Sequence, residues 1–243
     1  MKKISQEVID ALNSGQRESG NLMEFLSVDI KLLLKNVLPE FSCPIFPGNF
    51  GVTKKYRLIG TELQKQFGFE IFKKLKAHKS DTIRTFACYL LGEQKISFVQ
   101  KLKLVRPLAD DNNAGVREWA WIVLRDDDLI LDLEASIKLL VAWTSDPSDN
   151  IRRFASELTR PRGVWCKHIT ALRAQPWLGL PILLPLYSDP AKYVQLSVGN
   201  WLNDAGKDHP SWVIDLCREW QNNSSTAETN KICKRAMRNL STL

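Results

Sequence analysis

Along most of the chain, apolar residues return every third or fourth position, and short polar clusters separate these runs. This is the spacing of helices with one buried face. "SQEVIDALNSG" predicts a helix closing on Gly15, and "NLMEFLSVDIKLLLKNVLPEF" predicts a single second helix before Pro44. "SCPIFPGNFG", with two prolines and two glycines, is the clearest loop. No strand-like alternation and no Gly-rich phosphate loop stands out.

Beyond residue 52 a short pattern recurs: a hydrophobic residue, usually Arg, two variable residues, then a small one. It reads "IRTFA" from 83, "VREWA" from 116, "IRRFA" from 151, "VQLSV" from 194 and "ICKRA" from 232, at intervals of 33, 35, 43 and 38. A period near 40 on helical spacing predicts paired-helix repeats of the HEAT type, each burying its apolar face on its neighbours. Polar clusters such as "KSDT", "DDNNAG", "DPSDN" and "SDPAK" precede the pattern and offer side chains to cap the next helix start. The expected fold is therefore all-α, a HEAT-like helical-repeat solenoid (α-α superhelix) with a concave basic face. It forms one domain over 1–243, with an N-terminal helical cap at 1–45 and stacked repeats over 52–243. An ordinary helical bundle is the alternative.

On a wheel of about 100° per residue, Val194, Val198, Trp201, Leu202 and Ala205 form the buried stripe of their helix. Asn203, Asn200 and Asp204 fall on its far side. The same sector holds Arg153, Glu157 and Arg160 one repeat earlier, and Glu118 and Arg125 before that. These positions are expected to line one surface, with Glu118 in the first turn of its helix, where the dipole favours a carboxylate.

Charge sharpens this picture. The 243 residues carry 34 Lys and Arg against 27 Asp and Glu, a formal charge of +7, and the sequence pI is about 9.2. That balance favours a polyanionic partner such as nucleic acid. Phosphate binding accounts for the arginines but not for carboxylates among them. Either Glu118 and Glu157 make salt bridges to Arg117, Arg153 or Arg160, or a carboxylate is kept to meet positive charge on a ligand. A sugar losing its base develops such charge, and a carboxylate beside it can also activate water. Among eight tryptophans, Trp201 lies on the core stripe. Trp119 and Trp121 lie at or beyond its edge, and Trp165 follows "TRPRG" in a loop, where it can stack on a sugar or base. Five scattered cysteines with no C-x-x-C, and three histidines without metal spacing, suggest neither a disulfide framework nor a metal site. The N-terminus lacks the apolar stretch of a signal peptide and no later run is long enough to span a membrane, so a cytoplasmic protein is expected.

"ASELTRPRGVW" (155 to 165) and "YVQLSVGNWLNDAGKDHP" (193 to 210), together with "VREWAW" (116 to 121), resemble the AlkC branch of the AlkC/AlkD-type bacterial DNA alkylation-repair glycosylases. The resemblance runs over nearly the whole chain. It implies a HEAT-like solenoid on duplex DNA that hydrolyses the N-glycosidic bond of alkylated, cationic bases without the usual base flipping. By motif it implies Glu118 and Asp204 as the catalytic carboxylates and Trp165 as the contact to the lesion. Glu157, Arg152, Arg153 and Arg160 would complete the groove, with Trp119, Trp121, Asn200 and Asn203 as further DNA-facing positions. Gln195 and Leu196 stand where the family usually has two basic residues, which implies a weaker phosphate-contacting surface there. The chain is also expected to lack the immunoglobulin-like extension of some AlkC proteins. A monofunctional glycosylase acting as a monomer, with no metal or organic cofactor, is the leading expectation. The alternatives are a non-catalytic HEAT-like DNA-binding protein and a protein-protein scaffold.

Overall fold

The computed structural model describes residues 4–125 and 132–240. Every regular element among them is helical, and no helix is long and apolar enough to cross a membrane. The chain divides into two compact units, Met1–Val123 and Leu124–Leu243.

The first unit begins with α1 (Gln6–Asn13), which ends before Gly15 at a φ of 72°. The region expected as one second helix is instead two, α2 (Leu22–Leu26) and α3 (Ile30–Val37). Asp29 causes the break, because its side chain accepts the Leu32 N–H at 3.1 Å and starts a new helix. Meanwhile Asn13 Oδ1 accepts the Asp29 N–H at 2.8 Å and holds the junction against α1. The loop at 42–51 leads to α4 (Val52–Phe67), α5 (Phe72–Lys76), α6 (Asp81–Gly92), α7 (Phe98–Ala109) and the start of α8 (Ala114–Arg125). Helices α4 and α6 approach closely at Gly60, where a Cβ would stand 2.8 Å from Tyr89 Cβ. Around that contact Tyr56, Tyr89, Phe25 and Trp119 form one aromatic cluster, with Trp119 centroids 5.6 Å from Tyr56, 5.7 Å from Tyr89 and 6.2 Å from Phe25.

The second unit contains α9 (Leu133–Val141), α10 (Asp149–Leu158), α11 (Thr170–Ala174), α12 (Leu180–Leu183), α13 (Lys192–Gly206), α14 (Pro210–Asn223) and α15 (Ala227–Ala236). Helix α10 packs on α13, and α13 packs on α15. At the second of these contacts a Cβ on Gly199 would lie 2.8 Å from Arg235 Cβ, so glycine sets the spacing. Trp201 is fully buried and its indole N–H donates to the Thr159 carbonyl at 2.9 Å, which ties α13 to the end of α10.

The recurring pattern has a specific physical role. In four of its five instances the second residue reaches back over the helix start and donates to the carbonyls six and five residues upstream, whereas Cys233 in the fifth points its thiol to the Cys217 carbonyl. Arg84 donates to His78 and Lys79 at 2.8 Å each. Arg117 donates to Asp111 and Asn112 at 2.5 and 3.0 Å. Arg152 donates to Asp146 and Pro147 at 2.8 and 3.1 Å. Gln195 does the same to Asp189 and Pro190 at 2.9 and 3.2 Å. The upstream residue itself accepts the N–H two positions on: Asp111 from Asn113, Asp146 from Ser148 and Asp189 from Ala191, at 2.8, 3.0 and 2.8 Å. His78 takes this place in the first instance, its Nδ1 accepting from Ser80 at 3.0 Å. Side-chain caps of the expected kind close only some starts: Ser80 caps α6 and Asn113 caps α8, whereas α10 and α13 have none.

Two of the arginines also link one repeat to the next. Arg84 pairs with Asp111 through Nε and Nη2 at 2.7 and 3.0 Å, and Arg152 pairs with Asp189 at 2.6 and 3.0 Å. Arg152, expected to face DNA, is thus committed to holding the second unit together. Gln195 is buried and performs the same loop-holding task without a charge. It is therefore no gap in a phosphate-binding surface, which corrects the expectation for that position.

Replacing Arg152 by Ala strands the buried Asp189 carboxylate, and urea denaturation should show a loss of roughly 3–5 kcal/mol. A loss under about 1 kcal/mol would show the pair to be dispensable. His78 supplies a pH dependence: burial first, then Arg84, lowers its pKa from the ordinary value. The unfolded chain thus takes up a proton more readily than the folded one. Stability should be constant above the unfolded value of about 6.5 and fall as pH drops below it, a decline that His78→Asn should flatten in melting curves.

Candidate functional site

The polar sector predicted to face solvent is, in the second unit, largely buried. Asp204 is 5% exposed, Glu157 2% and Arg125 0%. A helix packed between neighbours has little free surface, so residues opposite its apolar stripe meet the next helix. They persist there because they satisfy one another.

Asp204, on α13, sits at the centre of this layer. Its Oδ2 accepts from Arg160 Nε and Nη2 at 3.0 and 2.7 Å, and its Oδ1 accepts from Lys207 Nζ at 3.2 Å. Arg160 follows the C-terminus of α10 and also donates through Nη1 to Glu157 Oε2 at 3.1 Å. Glu157 Oε1 lies 3.4 Å from Arg153 Nη2. The Arg153 guanidinium carbon lies 4.2 Å from the centroid of the Tyr193 ring, a cation–π contact. Arg160 keeps a pKa above its ordinary value: burial opposes its charge, but Glu157 and Asp204 outweigh that cost.

Two arginines absent from the sequence-based set extend the layer. Asn200 Oδ1 accepts from Arg235 Nε at 2.9 Å and from Arg238 Nη1 at 3.2 Å. The charge of Arg238 is disfavoured by burial, by Arg235 and by Arg160, and favoured by Asp204. Positive charge is thus crowded here. The signal for Arg235 was its place in the "ICKRA" pattern, but Arg238 lies just past it. Asn203 has a different role: it is buried and donates to the Ala236 carbonyl at 2.9 Å, joining α13 to α15.

Beneath the layer, Arg125 is the anchor of the loop between α10 and α11. Its guanidinium donates to the carbonyls of Lys167 at 3.1 Å, Glu157 at 3.4 Å and Arg160. Burial lowers its pKa, while Glu157 and Asp204 help to retain the charge. Arg162 and Arg173 grip Asp208 at 2.7 and 3.0 Å from the other side. The turn is tight enough that a Cβ on Gly163 would collide with Cys166 Sγ. From this braced loop Trp165 is 48% exposed.

In the first unit, Glu118 lies on α8, past its first turn, because the helix already starts at Ala114 under the Asn113 side chain. That removes the helix-dipole argument for its charge. Glu118 Oε2 accepts the Trp121 indole N–H at 3.0 Å. Trp121 therefore orients the carboxylate from a buried position, and Trp119 belongs to the aromatic core. Neither tryptophan presents a face on which a base could stack.

No family model matches the chain. It is 41% identical over 112 residues to uncharacterized protein YhaZ of Bacillus subtilis (strain 168), a match covering 46% of this chain and 31% of that protein. Among solved structures it resembles the alkylpurine DNA glycosylase AlkC of Pseudomonas fluorescens, bound to DNA containing an abasic site analog. That likeness has a TM-score of 0.70 at 22% identity and covers 96% of this chain and 62% of AlkC. AlkD2 from Streptococcus mutans gives a TM-score of 0.63 at 20% identity over 87% of this chain and 99% of AlkD2. The smu.31 protein of Streptococcus mutans UA159 gives 0.62 at 21% identity over 78% of this chain and 93% of smu.31. The match thus spans about a third of YhaZ and less than two thirds of AlkC. The chain has the HEAT-like helical-repeat fold of the AlkC and AlkD-type proteins.

Proposed function

We propose that this chain is a monofunctional DNA glycosylase that hydrolyses the N-glycosidic bond of alkylated, cationic bases in duplex DNA, acting as a monomer in the cytoplasm and without base flipping. The observation that carries the reading is Asp204: a nearly buried carboxylate set among Arg160, Lys207 and Arg238, in the same unit as the braced loop that exposes Trp165. A purely phosphate-binding layer would have no use for it. Loss of a cationic base leaves an oxocarbenium-like sugar, and a carboxylate whose orientation is already fixed lowers the energy of that state.

Three hydrogen bonds occupy Asp204, from Arg160 twice and Lys207 once. A carboxylate has about four acceptor positions, so Oδ1 retains one for a water molecule. Through it Asp204 orients the attacking water and takes up its proton. Glu118, steadied by Trp121, is the second carboxylate of the proposed chemistry. Trp165 stacks on the lesion's sugar or base. Arg153, Arg160, Arg235 and Arg238 meet phosphates. A second reading, a DNA-binding protein without chemistry, draws on the same ion pairs: an aspartate held by two cations also serves as a simple structural bridge.

Free base released from methylated duplex DNA separates the two readings. Asp204→Asn and Glu118→Gln should each slow release by about 10²–10³-fold while leaving much of the DNA affinity. An active wild type whose rate survives both changes would remove these residues from the chemistry, and a folded, DNA-binding wild type that releases nothing would favour the second reading. Affinity for duplex should fall steeply with salt. Arg153→Glu should flatten the logarithmic salt dependence by about one unit or more, and an unchanged slope would place Arg153 away from phosphate.

A further inference from the structure

The loop between α10 and α11 carries an uncommon combination. At its tip Val164 is 82% exposed and Trp165 48% exposed, two adjacent apolar side chains turned to solvent. Their backbone is not loose: Arg125 holds the carbonyls of Arg160 and Lys167 on either side, Arg162 is fixed to Asp208, and Ile169 N–H donates to the Pro161 carbonyl at 3.0 Å. A fully buried arginine is a costly way to secure a loop, and it is spent here on backbone carbonyls flanking the tip. The sequence around the tip, "TRPRGVWCKH", surrounds the apolar pair with Arg160, Arg162, Lys167 and His168. Lys167 and His168 are exposed beside it.

We propose that Val164, together with Trp165, forms a wedge that enters a base step of duplex DNA. This rests on the DNA reading above and adds to it an element of the binding surface. Apolar side chains on a rigid support unstack a step when flanking cations hold the two phosphate backbones, because the cost of separating the bases is offset by the contacts that the bend permits. Rigidity is needed, since a loose loop would fold its apolar tip back on the protein rather than push stacked base pairs apart. Opening a step in this way strains the nucleotide at the lesion while the base stays out of any protein pocket. It assigns Val164, a residue with no packing role, a use that an exposed valine otherwise lacks.

The test uses duplexes with 2-aminopurine on either side of a tetrahydrofuran abasic analogue, because this base brightens when unstacked. The full chain should raise the fluorescence on one side. Val164→Ser should lose about half of the rise or more, and Val164→Leu should keep it. Both variants should melt like the wild type, since the side chain is exposed, and both should keep the salt dependence of binding. Duplex binding without a rise, or an equal rise with Val164→Ser, overturns the wedge and leaves the DNA reading standing. Absence of salt-dependent duplex binding overturns both.

Discussion

The repeats of this chain depend on one interaction, made at four successive core helices: a side chain near the helix start reaching back to two carbonyls of the preceding loop. Those carbonyls are the points at which a helical-repeat protein is vulnerable, since a loop that must be buried leaves backbone acceptors that water no longer serves. A guanidinium meets the need well because its planar fork offers several donors in fixed directions, so one residue holds two carbonyls and a carboxylate together. Arg84 and Arg152 do both, and through Asp111 and Asp189 they fix the register of adjacent repeats. Once loops and helix starts are held in this way, the residues farther along each helix are free to serve other purposes.

One such purpose is the layer around Asp204. The helices that carry it stand close because Gly199 allows them to, and at that distance polar side chains must satisfy each other rather than water. Among the described residues, Arg160 and Lys207 bond Asp204, Arg153 and Arg160 meet Glu157, and Arg235 and Arg238 stand alongside on Asn200, so the layer sets several cations next to an acid. Attraction for an anionic polymer and stabilisation of a cation within it are opposed demands. Under the proposed function, the guanidinium groups serve the first demand and Asp204, held among them, serves the second.

The recurring pattern was legible because its period survives any reading of the wheel, and the loop carrying Trp165 was legible because Pro161 and Gly163 interrupt a helix. What misled was the assumption that the side opposite an apolar stripe is wet. In α10 and α13 it meets another helix, so Glu157 and Asn203 were placed outside when they are inside. Trp119 was misplaced for the opposite reason: an aromatic ring at the stripe's edge is wide enough to complete the core around Tyr56 and Phe25, while Trp121 is buried with its indole N–H on Glu118. Splitting of the second predicted helix turned on Asp29, whose cap outweighs the continuous apolar spacing on either side. Arg125 could not be identified as an anchor from sequence, because its partners are backbone carbonyls more than thirty residues away.

Gln195 gives the row of ion pairs an end. Arg84 and Arg152 take their counter-ions from the loop of the following repeat, six residues before the next pattern's second position. For position 195 that place is Ala227, which has no charge to offer. Glutamine preserves both carbonyl bonds and asks for nothing further. The architecture thus has a grammar of paired positions rather than of single ones. Lengthening it by inserting a repeat after α13 calls for Arg at 195 and Asp in the incoming loop together, since either alone would bury an uncompensated ion.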